Sequence, residues 1–162
     1  MVLNRQEIRH AINEDEDSEF TSSRYLQSLT PIINRYLDIP EKGALGKERM
    51  ADSELSLRFL AFRILNYQHE YNGSIQDYLD KAMERINGME LNKLDLFKID
   101  FEKTLKLIND IFPKDVAYTK SMVQKEGPKN FNGNLFGVWV YVISRLNDDE
   151  RNLLVDGKAM FY

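Results

Sequence analysis

The chain has no cysteine, and among its 162 residues only four prolines, eight glycines, two histidines and one tryptophan. Without cysteine there is no disulfide framework, no thiolate metal site and no cysteine nucleophile, which fits a reducing compartment; the expected location is the cytoplasm. So little proline and glycine excludes collagen-like or linker composition. Basic charge is not in excess either: 22 Lys+Arg against 26 Asp+Glu leaves a net charge of −4. That balance argues against a dedicated binder of nucleic acid or of anionic membrane. No apolar stretch approaches the ~20 residues that cross a bilayer; the strongest, Leu135 to Ile143, is far shorter. Met1-Val2-Leu3 leads straight into a helix signal, without the basic and apolar regions of a signal peptide.

What remains is ordinary globular material, 43% hydrophobic, 11% aromatic and 30% charged, in a length that suits one domain. Lys158-Ala159-Met160-Phe161-Tyr162 stops on three apolar residues with no cap. Apolar residues at a terminus want a partner, so the expectation is a single helical domain over residues 1–162 that is a piece of a larger protein.

The periodicity is helical almost throughout. Asn4 and Glu7 have capping-box spacing, flanked by Leu3 and Ile8 as a hydrophobic staple, and the helix they open carries Ile8, Ala11 and Ile12 on one side. It dies in Glu14-Asp15-Glu16-Asp17, a run that reads as a solvated loop. A second helix spans about 22–37, and Thr30-Pro31 either kinks it or opens a new one, with Thr30 as cap. Residues 38–47, holding Pro40, Gly43 and Gly46, read as loop.

The most apolar helix follows at about 53–67. Leu55, Phe59 and Phe62 mark one face, and Leu57, Leu60, Ala61, Ile64 and Leu65 fill the flanks, so it is expected at the centre of the core. After an Asn72-Gly73 turn, Ser74 and Asp77 give a second capping box before Ile75, Tyr78, Leu79, Ala82 and Ile86; Gly88 suits the end of that helix. Leu94, Phe97, Phe101, Leu105, Ile108 and Phe112 form one stripe, stopped by Pro113. Residues 114–130 read as a loop with a turn near Val116-Tyr118. The last strong element, about 132–146, carries Leu135, Phe136, Trp139, Val140 and Ile143, and its β-branched run competes as a buried strand. Length favours helix, and the expected fold is an all-α, irregular bundle of about five to seven helices.

Catalytic chemistry is sparse. His10 and His69 lie far apart on different elements and do not make a zinc site, so no metal is expected. No Walker A or dinucleotide fingerprint occurs, and no serine sits on a strand-to-helix elbow; no cofactor and no catalytic residue is assigned. One cluster stands out. Arg49-Met50-Ala51-Asp52-Ser53-Glu54-Leu55-Ser56-Leu57-Arg58 puts Glu54 and Arg58 at i,i+4 on the most apolar helix, with Arg49 and Asp52 at its start. Charges on a mostly buried helix must pair, so the plain reading is an intramolecular brace; the functional one is a charged wall beside a neighbouring domain.

At these residues the sequence resembles the helical part of the GmrSD-type proteins, which are GmrS-like with a ParB/sulfiredoxin-like N-terminal domain and include modification-dependent restriction endonucleases. Leu3-Asn4-Arg5-Gln6-Glu7-Ile8-Arg9-His10-Ala11-Ile12 and the run from Arg49-Met50 to Ala61-Phe62 carry the likeness. Asn72 to Leu79, Phe101 to Leu105, and Phe131-Asn132 with Ser144-Arg145-Leu146 add to it. The family's Asp-Gly-Gln-Gln-Arg nucleotidase motif and its His-Asn-His-type nuclease domain are absent. The resemblance implies NTP-dependent cleavage of modified DNA by a parent protein. For this chain it implies a non-catalytic module whose Glu7, Arg9, Arg49, Asp52, Glu54 and Arg58 face the nucleotidase domain as interface or pocket wall, touching DNA only indirectly. A stand-alone interaction module, antitoxin- or inhibitor-like, is the rival reading.

Overall fold

The computed structural model describes residues 5–13, 20–37, 50–113, 116–119 and 131–157. Among them run eight helices: α1 Arg5–Ile12, α2 Ser22–Tyr36, α3 Ala51–Ile64, α4 Tyr67–Glu70, α5 Ile75–Asn87, α6 Leu91–Ile111, α7 Gly133–Ile143 and α8 Asp148–Asp156. The described residues hold no strand, only one antiparallel bridge between Thr119 and Phe131. The chain is therefore all-α. It exceeds the expected helix count by one because α4 and α8 are too short for an apolar stripe. Each is announced instead by an asparagine cap. Asn66 accepts from the Gln68 N–H at 3.0 Å, and Asn147 forms a complete capping box with Glu150, both bonds 2.9 Å.

Helix α3 is the hub. Leu55, Leu57, Phe59, Leu60 and Ala61 are fully buried, because α1, α2, α5 and α7 all pack against it. At roughly 1.5–3 kcal/mol for each large apolar side chain removed from water, this helix alone anchors the core. The Phe59 and Phe101 rings meet at 4.6 Å, fastening α3 to α6. Asp52 and Glu54 occupy the first turn and Arg63 the last, the arrangement the helix dipole favours.

The other expected stripes face inward. Leu94, Phe101, Leu105, Ile108 and Phe112 are buried from α6, and Tyr78, Leu79, Ala82 and Ile86 from α5. The 133–143 segment is helix rather than strand, with Phe136, Val140 and Ile143 buried and Asn132 capping it at 2.9 and 3.3 Å. Helix α2 runs through Pro31 as one element, so Thr30 caps no second helix; Leu29, Ile32 and Ile33 on either side of the proline are buried together. Gly73 has φ +94, a left-handed conformation that glycine alone adopts without strain. Ser74 caps α5 by accepting from the Asp77 N–H at 3.2 Å, but the box stays half made. The Ser74 N–H goes to Asn72 and the Asp77 carboxylate accepts from the Asn72 amide.

Helix α1 is built the opposite way. Its buried residues are Gln6, Arg9 and His10, whereas Ile8 is 43% and Ile12 76% exposed. The apolar side faces outward and the polar side is held by hydrogen bonds. Ser23 Oγ donates to the His10 carbonyl at 3.2 Å. Asn87 donates to Asn13 Oδ1 at 2.8 Å and accepts the Ser22 N–H at 2.9 Å. The Asn4 cap, the acidic run 14–17, the loop 38–47 and the chain end 158–162 lie outside the described residues.

Candidate functional site

Five of the six charged residues singled out by sequence are described, and they fall into two groups. Arg49 lies outside the described residues. Glu54 and Arg58 make the expected brace: Arg58 Nη2 and Nε donate to Glu54 Oε1 at 2.7 and 3.2 Å, with the side chains only 15% and 14% exposed. Arg58 Nη1 also comes within 3.5 Å of the Gly133 carbonyl and Asn134 Oδ1, tying α3 to the first turn of α7. Asp52 accepts a hydrogen bond from the Thr30 hydroxyl, a link from α3 to α2. Immediately before α3, Met50 holds φ 65, a left-handed conformation costly for a side chain with a Cβ.

Arg9 and Glu7 belong to a second place, on α1. The Arg9 side chain is 5% exposed and its donors are spent inside the molecule. Nε donates to Asp80, Nη1 to Gln6 Oε1 at 3.1 Å, and Nη2 to the Gln76 carbonyl at 3.2 Å and to the Gln76 side-chain oxygen. Arg9 is thus a latch between α1 and α5, while Glu7 is half-exposed on the same helix. The structure brings Arg9 to Gln76 and Asp80, and it does not bring it to Arg58.

Sequence reasoning missed three polar features because their partners are far apart in the chain. Asp100 on α6 faces Arg63 of α3 at 2.9 Å and Arg151 of α8 at 3.5 Å, one carboxylate between two guanidiniums. Arg145 lies 3.9 Å over the Tyr141 ring and donates to the Phe62 carbonyl at 2.7 Å, covering the C-terminal end of α3. Around that end sit Phe62, Tyr67, Tyr71, Tyr78 and Tyr141, with Tyr67 and Tyr71 stacked at 4.7 Å. Burial, then the nearby Glu70 carboxylate, pushes the Tyr78 hydroxyl up to about 12. That hydroxyl lies 3.1 and 3.2 Å from the Ala61 and Leu65 carbonyls it serves. Burial raises Tyr25 and Tyr118 as well. Asp77 is lowered by the hydrogen bonds from Asn72 and Ser74.

Clefts open between the described residues. One, about 960 Å³, lies where α3, α4, α5 and α6 meet, and its charged lining includes Arg63, Glu70, Lys81, Glu84, Arg85 and Lys93. A second, about 410 Å³, is lined by Arg63, Asn66, Tyr67, Gln68, Tyr141 and Arg145. A third, also about 410 Å³, runs beside α1 between Arg5, Ile8, Ile12 and Asn13 on one side and Asp80 and Glu84 on the other. Among the described residues no three His, Asp or Glu side chains converge as metal ligands, and none of their helices is long and apolar enough to cross a membrane. His10 is buried on α1 and His69 exposed on α4.

The chemistry of these places is that of fastening: latched charges and capped carbonyls, with bare apolar side chains on α1, α6, α7 and α8. No family model matches the chain, and no curated protein or solved structure matches it.

Proposed function

We propose that this chain is a non-catalytic helical module of a GmrSD-like, NTP-dependent restriction protein of anti-phage defence, and that it packs against a nucleotide-processing, ParB/sulfiredoxin-like domain. In this reading Glu7, Asp52, Glu54 and Arg58 border that domain, and DNA is touched only through it. The supporting observation is where the resembling segments lie. Separate in sequence, they meet one another around α3. Arg9 from the first segment latches onto Gln76 of the third. Tyr78 of the third donates to Ala61 of the second. Phe59 of the second packs on Phe101 of the fourth, and Arg58 reaches Gly133, next to the Asn132 that opens the fifth. The likeness thus follows a single interlocked unit rather than scattered positions.

The test uses the purified chain and a separately expressed GmrSD-type nucleotidase domain. The expected result is a one-to-one complex in size-exclusion chromatography with light scattering, and no NTP hydrolysis or DNA cleavage by the chain alone. Metal-dependent nucleotide hydrolysis by the isolated chain, abolished in Arg58→Ala, overturns the proposal. The net charge of −4 favours the second reading, a stand-alone antitoxin- or inhibitor-like module for a basic partner. Capture of a separate basic protein in place of the nucleotidase domain would support that reading instead.

A further inference from the structure

Of the three clefts described above, the two bordered by α5 mix cations with anions. The one at the C-terminal end of α3 is lined by Arg63 and Arg145 and by no carboxylate, in a chain whose net charge is −4. The acids nearby are engaged elsewhere. Asp100 holds Arg63 Nε at 2.9 Å but shares itself with Arg151 at 3.5 Å, so two guanidiniums divide one negative charge. Glu70 meets Arg85 at 3.4 Å and accepts the Asn66 N–H at 2.9 Å. Arg145 makes no ion pair among the described residues; its Nη1 and Nη2 donate to the Tyr141 and Phe62 carbonyls at 3.1 and 2.7 Å. Positive charge is therefore in surplus around this cleft, and donors are too. A guanidinium carries five N–H groups, of which Arg145 uses two, and neither Nη of Arg63 has a hydrogen-bond partner among the described residues. Asn66 caps α4 with its side-chain oxygen, which leaves its amide nitrogen to donate. The α3 carbonyls that would repel an anion are already covered, Phe62 by Arg145, and Ala61 and Leu65 by the Tyr78 hydroxyl.

We propose that this cleft binds the phosphate group of a small phosphorylated ligand, with Arg63 and Arg145 as its cations and the Asn66 amide as a further donor. Guanidinium forks match phosphate oxygens in pairs, and bonds between charged partners are the strong ones. Two guanidiniums and an amide offer more donors than the two oxygens of a carboxylate can use, and a dianion gains more from the surplus charge. The volume, about 410 Å³, suits a small molecule rather than a polymer. The site stands apart from the domain contact proposed above, and neither depends on the other.

The full chain, labelled with nitrogen-15, is titrated with inorganic phosphate at mildly alkaline pH and low salt, and amide shifts are followed by NMR. Saturable shifts are expected at residues 63–68 and 141–145. Arg145→Gln should weaken binding by ~10-fold, the worth of one charge-assisted contact at a partly solvated site. Gln68→Glu should abolish it by setting a carboxylate in the cleft, and because the Gln68 side chain makes no hydrogen bond among the described residues, this variant keeps the fold. Arg35→Gln removes the same charge from α2, where Arg35 pairs with Glu102, and should leave affinity unchanged. Acetate should bind at least ~10-fold more weakly than phosphate. Shifts that never saturate, or equal losses in Arg35→Gln and Arg145→Gln, mean diffuse charge attraction and overturn the inference. Acetate binding as tightly as phosphate overturns it too. Should Arg145→Gln disturb the circular dichroism by releasing Phe62, Gln68→Glu decides alone, and phosphate binding retained in that variant sinks the proposal.

Discussion

Removing the Arg9 latch should free α1 without unfolding the bundle. The helix contributes no buried apolar side chain, only Gln6, Arg9 and His10, so hydrogen bonding and charge hold it. In Arg9→Ala the bonds to Gln6, Gln76 and Asp80 vanish together. Bonds to a charged donor are worth about 1.5–3 kcal/mol each when buried. The Asp80 bond deserves a discount because that carboxylate is 53% exposed and well solvated once released. Allowing also for water replacing the Gln contacts, the net loss is about 2–3 kcal/mol, or roughly 30- to 150-fold in the opening equilibrium of α1. Native-state hydrogen exchange reads this directly. The amide of Asn13, bonded to the Arg9 carbonyl at 3.0 Å, and the α1 amides before it should exchange faster by that factor. Amides of α3 and α5 should not change. If the α3 amides accelerate in step with those of α1, or α1 keeps its protection, the argument that α1 is a separately latched element is wrong.

Other substitutions test the remaining polar fastenings. Asp100→Ala strips two partly buried arginines of their shared carboxylate, and should cost about 3 kcal/mol in urea unfolding. Converting Arg63 and Arg151 to methionine in the same background should recover most of it. Glu54→Gln should cost about 1–2 kcal/mol, since the amide oxygen left to accept from Arg58 carries no charge, whereas replacing Glu54 and Arg58 together by leucine and methionine should be near neutral. Alkaline stability follows from Tyr78. Its folded pKa of about 12 lies above tyrosine's ordinary value of 10.0, so between those values the unfolded chain loses a proton that the folded one keeps. Stability therefore falls as pH rises through that window. Tyr78→Phe should flatten the fall in a pH series of melting temperatures, and an unchanged slope would remove the burial argument.

Most of the fold could be read in advance because apolar spacing depends on neighbours three and four residues away. Leu55 to Leu65, Tyr78 to Ile86 and Leu94 to Phe112 are long stripes with caps or stops nearby, and the helices they define need no distant information. The face of α1 was a different kind of question. Spacing placed Ile8 and Ile12 on one side but could not say which side would be covered. That was decided by Gln76 and Asp80, 67 and 71 residues from Arg9. The same holds for Asp100, whose partner Arg151 is 51 residues away. At Pro31 local sterics leave two outcomes open, a kinked helix or a new one, and burial of Leu29, Ile32 and Ile33 goes with a single helix. Of the charged site, the Glu54–Arg58 pair was legible because both partners lie on one helix. Short α8 had a legible signal, Asn147 with Glu150 three residues on, and it was overlooked for want of an apolar stripe.

The amide of Asn87 has a consequence for redesign. One side chain at the end of α5 fixes both the exit of α1, through Asn13, and the entry of α2, through Ser22. The two ends are therefore moored to a common post, so the spacing between Asn13 and Ser22 is set by α5 rather than by the residues that join them. Asn87→Ala should release both ends at once, read as faster hydrogen exchange of the Ser22 amide. Aspartate at that position could still accept from Ser22 but would have no proton to give to Asn13.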